Sequence, residues 1–283
     1  MTATPELVLT LSCPDQRGIV HAVTGAIARV GGNITESQQF GDVDSGQFLM
    51  RVQADSIEDR DALDAALTVL AAQMRMRWSL DEVGRPVRTL IMASREAHCL
   101  SDLLFRAREG ILPIEVVGVV ANHADLAPLA EFYRVPFHHV PVTRETKAQA
   151  EASLLALVRQ HDVELVVLAR YMQILSDAVC RELPGRVINI HHSFLPSFKG
   201  ARPYAQAHTR GVKLIGATAH YVTPDLDEGP IIEQDVARVT HSDSIAEFLA
   251  QGQDVERRVL ARAVRWHAEH RILLNGTKTV VFA

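Results

Sequence analysis

The chain has 283 residues, 47% of them apolar and 22% charged, a length that favours two domains and a composition that excludes a disordered or fibrous protein. A net charge of −5 with no basic block removes the electrostatic footprint of a nucleic-acid binder, a tRNA substrate included. No apolar run approaches the roughly 18 residues of a membrane helix and the opening MTATPELVLT lacks a signal pattern, so the expected setting is the cytoplasm, with no membrane partner.

The first apolar run, Leu7 to Leu11, reads as a buried strand. Cys13-Pro14-Asp15-Gln16-Arg17-Gly18 turns the chain into a helical pattern that Gly31-Gly32 ends. Two strands, 33–40 and 47–52, flank the turn-forming residues 41–46 as a hairpin. Ser56-Ile57-Glu58-Asp59 reads as a capping box opening a helix through Met74, and residues 76–80 then alternate apolar with polar. The order is βαββαβ. Polar residues 81–86, with Gly84 and Pro86, form the linker, dividing the chain into domains 1–83 and 84–283.

The stretch LTLSCPDQRGIVHAVTGAIARVGGNI resembles the opening of an ACT domain, a ferredoxin-like module, and the likeness covers about the first eighty residues. That resemblance implies self-pairing into a homo-oligomer and an amino-acid effector near Asp15, Gly18, Gly32 and Asn33, with methionine or glycine the first candidates. Backbone N–H groups at a helix start suit a carboxylate. A dimerisation module without a ligand is the other reading.

Beyond the linker the period changes. Strand-like runs at 89–92, 116–120, 137–140, 165–169 and 187–190 alternate with helical stretches at 100–108 and 145–161. Continuous apolar strands between amphipathic helices indicate an α/β fold, a doubly wound and mostly parallel sheet with its site at the strand ends. The turn after the first of these strands, Ala93-Ser94-Arg95-Glu96-Ala97-His98-Cys99, contains no glycine and offers no phosphate cradle. The cysteines Cys13, Cys99 and Cys180 are odd in number and scattered, as ordinary thiols in a reducing compartment are.

NIHHSFLPS stands at a strand end. Asn189 and His191, two apart, share a face, whereas His192 points away unless the strand has already stopped. An alternating strand, KLIGATAHY, follows, and then a loop carrying Asp225, Asp227 and Glu228 before a further strand at 231–234. An amide, an imidazole and a carboxylate together suit acyl transfer without a metal: an oxyanion donor, a general acid, and a group that orients or deprotonates a nucleophile. Strand-end histidines that cap carbonyls beside a solvated acidic loop are the plainer reading.

NIHHSFLPSFKGARPYAQAHTRGVKLIGATAHYVTPDLDEGPIIEQD resembles the catalytic core of the folate-dependent formyltransferase family. The match implies catalytic roles for Asn189, His191 and Asp227, with Asp225 the near neighbour of the last. It places the folate against residues 168–175 and 223–227. Arg170, Met172, Gln173, Ile174, Leu175, Thr223 and Asp225 become its contacts, although Met172 also suits plain core filling. His98 in the glycine-free turn narrows the acceptor side or is a helix-start histidine touching nothing. His220 holds Asp227 ionised through a charge-assisted hydrogen bond or is a satisfied core histidine.

The leading ACT-like domain, the turn SREAHCLSDLL and the ending GQDVERRVLARAVRWHAEHRILLNGTKTVVF together resemble the formyltetrahydrofolate deformylase family. Water then replaces the acceptor amine, and folate is a substrate, with no cofactor implied. The activity balances one-carbon pools and supplies formate for purine synthesis. A transferase acting on an unphosphorylated amine and a non-catalytic amino-acid or folate sensor are the rivals.

Overall fold

The computed structural model describes residues 5–195 and 203–283; residues 196–200, which carry most of the Leu-Pro-Ser-Phe-x-Gly pattern, lie outside the described residues. Contacts divide the chain into one unit running up to Arg85 together with Glu269–Ala283, and a second unit, Pro86–Ala268.

In the first unit, strand β1 (Leu7–Pro14) aims Leu7, Leu9, Leu11 and Cys13 at one side, the period-2 consequence of the pleat. Helix α1 (Ile19–Arg29) answers with Ile19, Val23 and Ile27, spaced one turn apart. Strands β2 (Asn33–Asp42) and β3 (Gln47–Asp55), helix α2 (Arg60–Met74) and strand β4 (Arg77–Glu82) complete the βαββαβ order. The sheet runs β2-β3-β1-β4 and is antiparallel throughout.

Three expectations are corrected here. The cap of α2 is Asp59, extended at φ −138 and accepting from Ala62 N at 2.9 Å, whereas Ser56 sits in the left-handed region and bonds Asp55. Asp81 and Glu82, expected in the linker, belong to β4, because they pair with Val8 and Leu7. Residues 269–283, assigned from sequence to the second domain, belong to the first. Their hairpin, Ile272–Asn275 paired with Lys278–Val281, places Leu273 and Phe282 against Leu49 on the face of β3 turned away from the helices. The carbonyls of Glu269 and His270 also receive the Arg51 guanidinium, which is only 2% exposed.

In the second unit, strands β5 (Val87–Ala93), β6 (Ile114–Ala121), β7 (Phe137–His139), β8 (Leu165–Leu168) and β9 (Val187–His191) are parallel. Strands β10 (Leu214–Tyr221) and β11 (Ile231–Arg238) extend the sheet antiparallel, in the order β11-β10-β9-β8-β5-β6-β7. Leu90, Val166 and Val187 join one continuous buried cluster, as strands covered on both faces require.

Helices α3 (His98–Arg108), α4 (Ala127–Phe132), α5 (Lys147–Gln160), α6 (Asp177–Glu182), α7 (Pro203–Arg210) and α8 (Ile245–Ala268) supply the connections and covers. Helix α8 packs on β10 and β11 and buries Phe248, Val255, Val259 and Val264. Its Gly252 is required by shape, since a Cβ there collides with the ring of Tyr204 from α7. Among the described residues no helix is long and apolar enough to cross a membrane.

Candidate active site

A cleft of about 950 Å³, counting its open mouth, is walled by the loop after β8, the polar side of β9 and the loop after β10. Ser94 at the end of β5 holds the first wall in place: its hydroxyl donates to Asn122 Oδ1 at 2.7 Å and accepts from Met172 N at 3.0 Å. Ser176 and Glu151 fix the far end of that loop, with Ser176 N and Oγ at 2.8 and 2.6 Å from the Glu151 carboxylate.

Asn189 and His191 both reach the cleft from β9, as strand parity requires, and the loop after β10 brings Asp227 to them. His191 Nδ1 lies 3.3 Å from Asp227 Oδ1, and this hydrogen bond holds the Asp227 carboxyl below its ordinary range, against a smaller opposing push from burial. The other imidazole nitrogen, Nε2, is buried and has no hydrogen-bond partner among the described residues. Asp227 takes a left-handed backbone at φ 58, and Gly229 follows where a Cβ would overlap the Tyr221 carbonyl. The turn therefore presents the carboxylate at a conformational cost, as loops at functional sites do.

Of the two sequence readings of His220, the structure favours the satisfied core histidine, and its side chain serves Asn189 rather than Asp227. In the β9–β10 register Asn189 stands opposite His220. The Asn189 amide nitrogen is 3.2 Å from His220 Nε2, while His220 Nδ1 is 3.0 Å from the Tyr221 carbonyl. A carbonyl only accepts, so the His220 proton is on Nδ1, Nε2 is the acceptor, and the ring is neutral. Burial lowers the His220 pKa, consistent with that assignment. Its 3.7 Å approach to Asp227 is therefore not an ion pair. One Asn189 N–H is committed to His220, which fixes the amide and leaves the second N–H for a ligand.

Behind these residues lies a charged network that sequence reading missed. Arg170 Nε is 3.0 Å from Glu96 and 3.4 Å from Glu256, and its Nη1 donates to His192 Nδ1. Glu256, 1% exposed on α8, also accepts from Tyr204 at 2.5 Å and from His98 Nε2 at 2.8 Å. With those partners its carboxyl stays below its ordinary range despite burial. His191 and His192 stack, with ring centroids 5.0 Å apart and planes 12° from parallel, because β9 ends at His191 and the next residue escapes strand alternation.

His98, Cys99 and Glu256 bring donor atoms within 4.8 Å of one another. Glu256, however, already meets a guanidinium, a phenol and an imidazole. Burial pushes the Cys99 thiol well above its ordinary range, away from the thiolate that a metal takes. The group is an ion-pair network rather than a metal centre.

Of the remaining expected residues, Arg170, Gln173, Leu175, Thr223 and Asp225 line the cleft, and Met172 and Ile174 do so while more than half exposed. Met172 is therefore not core filling. His98 is absent from the lining and neither narrows the cleft directly nor stands alone, since Glu256 holds it. In the first unit, Asp15, Gly18 and Asn33 are exposed, and Asn33 bonds Asp55 at 3.2 Å. Gly18 caps α1 in the left-handed region without any side-chain bond, and Gly32 approaches Ile27 too closely to admit a Cβ. The adjacent His192 carried a legible signal in the doubled histidine. Glu256 and Tyr204 carried none.

The formyl transferase family model matches residues 87–264, and the ACT domain model matches residues 7–72. The chain is 53% identical over 277 residues to formyltetrahydrofolate deformylase of Corynebacterium sp. (strain P-1), covering 97% of each, and 46% identical to that of Bacillus subtilis (strain 168), covering 97% of this chain and 93% of the other. A crystal structure of formyltetrahydrofolate deformylase from Burkholderia mallei superposes at TM-score 0.95 with 51% identity, covering 99% of this chain and 100% of that one. Glycinamide ribonucleotide transformylase 1 from Symbiobacterium toebii superposes at 0.66 with 30% identity, over 71% of this chain and 97% of that one. With both domain types present and relatives aligned from end to end, the chain belongs to the formyltetrahydrofolate deformylase family.

Proposed function

We propose that the chain hydrolyses 10-formyltetrahydrofolate to tetrahydrofolate and formate in the cleft between the 168–175 loop and the 222–227 loop. The observation that carries this reading is the convergence of Asn189, His191 and Asp227 on one apolar-walled cleft. The pterin ring packs between Met172, Ile174 and Leu226, whose exposed side chains stand at the mouth. The formyl group reaches β9.

Of the two roles open to Asp227 we take orientation over proton abstraction, because a carboxyl held below its ordinary range by the His191 hydrogen bond is a weak base. His191 then moves the proton at Nε2. It takes one from water as the water oxygen bonds to the formyl carbon, while Asp227 stabilises the imidazolium. Asn189 donates its second N–H to the developing oxyanion. As the carbon–nitrogen bond breaks, His191 returns the proton to the departing nitrogen, and formate leaves. The reaction uses protein side chains and water, with no added cofactor.

The test is incubation with 10-formyltetrahydrofolate and no acceptor amine, following formate, with Asp227→Asn as control. Formate from the parent and its loss in the variant is the expected result. Substrate consumed only when an amine is supplied would make the chain a transferase.

We place the enzyme in the cytoplasm, which the three buried free thiols suit. The ACT unit binds an amino acid at the uncapped start of α1, through Asp15, Gly18, Gly32 and Asn33, and assembles copies through its sheet edges. Saturating glycine or methionine changes the deformylase rate under this reading. Unaltered kinetics with either amino acid would leave the ACT unit an assembly role alone.

A further inference from the structure

Two imidazoles stacked face to face pose an electrostatic problem for the reaction proposed above, on which this inference rests. If His191 gains a proton during turnover, a second imidazolium 5.0 Å away opposes it. Histidines in water titrate near pH 6.5, so an unconstrained His192 would carry charge increasingly as the pH falls through that value.

The surroundings of His192 prevent this. A guanidinium has only donors, and Arg170 directs one of them at His192 Nδ1. That nitrogen must therefore be the bare acceptor, and the His192 proton must be on Nε2. Arg170 in turn is not free to move away: its side chain is 9% exposed, and it lies between Glu96 from the turn before α3 and Glu256 from α8. Tyr204 from α7 faces the same ring at 6.5 Å and also hydrogen-bonds Glu256. The charged and titratable groups around His192 are thus Arg170, Glu96, Glu256, Tyr204, His191 and, beyond His191, Asp227.

We infer that His192 is a positioning residue for His191: the Arg170 guanidinium, clamped by Glu96 and Glu256, fixes the His192 ring in its uncharged, Nε2-protonated form, so that the surface stacked on His191 never becomes a competing cation. The clamp lets one imidazole of the pair change charge while the other serves as a fixed neutral plate. Burial and the arginine charge lower the His192 pKa to about 4, in the direction this requires.

The first test needs no substitution at the network. Side-chain ¹⁵N spectroscopy of the parent enzyme, with His192→Gln used for assignment, reports a bare Nδ1 and a protonated Nε2 that persist from about pH 8 to about pH 5. A proton on Nδ1, or a doubly protonated ring in that interval, overturns the inference.

The second test uses the pH profile of formate release. In Arg170→Gln the released His192 titrates, so kcat relative to the parent falls at least roughly tenfold between pH 8 and pH 5.5, the size of shift a neighbouring like charge produces. In Arg170→Gln with His192→Gln the ring that acquires charge is gone, and the ratio to the parent stays flat with pH. A flat ratio in the single variant, or the same fall in the double variant, overturns the inference. Failure of the underlying reaction reading is separately visible, because it would show as continued formate release by His191→Asn.

Discussion

In the proposed reaction, Asn189 depends on a histidine that does no chemistry itself. Because His220 is locked as an acceptor by the Tyr221 carbonyl, Asn189 is held with its amide nitrogen inward, and an amide free to flip would present oxygen to an oxyanion half the time. Asn189→Ala is expected to lower kcat by about a hundred- to a thousandfold, the usual loss of an oxyanion donor, and His220→Ala by a smaller factor with KM little changed. Equal kcat for His220→Ala and the parent would dissociate the two residues. His192 and His220 both resist protonation in the fold. Each binds fewer protons folded than unfolded once the pH drops below the ordinary imidazole value of about 6.5, so stability falls as acidity rises through that value towards about pH 4. Urea midpoints at pH 7 and pH 5 check the sign, with the lower midpoint expected at pH 5. That Asn189 and His191 share a face was legible from strand parity, whereas Asp227 as their neighbour came from the motif resemblance alone, and the three do meet at one cleft. His220 had two readings from sequence, a support for Asp227 or a satisfied core histidine, and the choice needed the register of β9 against β10, which no local signal supplies. Glu256 was illegible for a related reason: a carboxylate on the buried side of an amphipathic helix has no sequence-local partner.

At the scale of elements, the alternation of apolar strands with helical stretches made the second unit readable, and the turns of the first made its βαββαβ order readable. The 24-residue α8 was not read as a helix, because its inward face mixes Gly252 and Glu256 with the apolar residues, and both are there to receive Tyr204. The 168–175 wall is an irregular loop, and what gives it shape is Ser94 on a neighbouring strand. Ser94→Ala removes the partner of Met172 N and leaves Asn122 without its donor. The expected result is a severalfold rise in KM for 10-formyltetrahydrofolate with kcat nearly kept, together with a stability loss of about 1 to 3 kcal/mol from the unsatisfied buried groups. Steady-state kinetics and a thermal melt read both. An unchanged KM would mean that the loop holds its form without the serine.

For the whole chain, the boundary drawn from sequence at the linker was right in kind and wrong in extent. Polar, Gly- and Pro-bearing residues mark a change of unit, but no local signal tells a terminal hairpin which earlier sheet it will cover. Phe282 and Leu273 meet Leu49 across more than two hundred residues of chain, so Phe282→Ala should destabilise the first unit by about 3 kcal/mol. Hydrogen exchange of β3 amides tests it: the exchange should speed in the variant, and parental protection would show the hairpin to be dispensable. This return of the chain also bears on synthesis. A ribosome delivers β1 to β4 before the sheet of the second unit, yet the carbonyls that receive Arg51 and the apolar cover of Leu49 come only after that entire sheet has emerged. The leading module therefore waits, incompletely sealed, until residues 269–283 have emerged, and a polypeptide halted before them carries its oldest part unfinished.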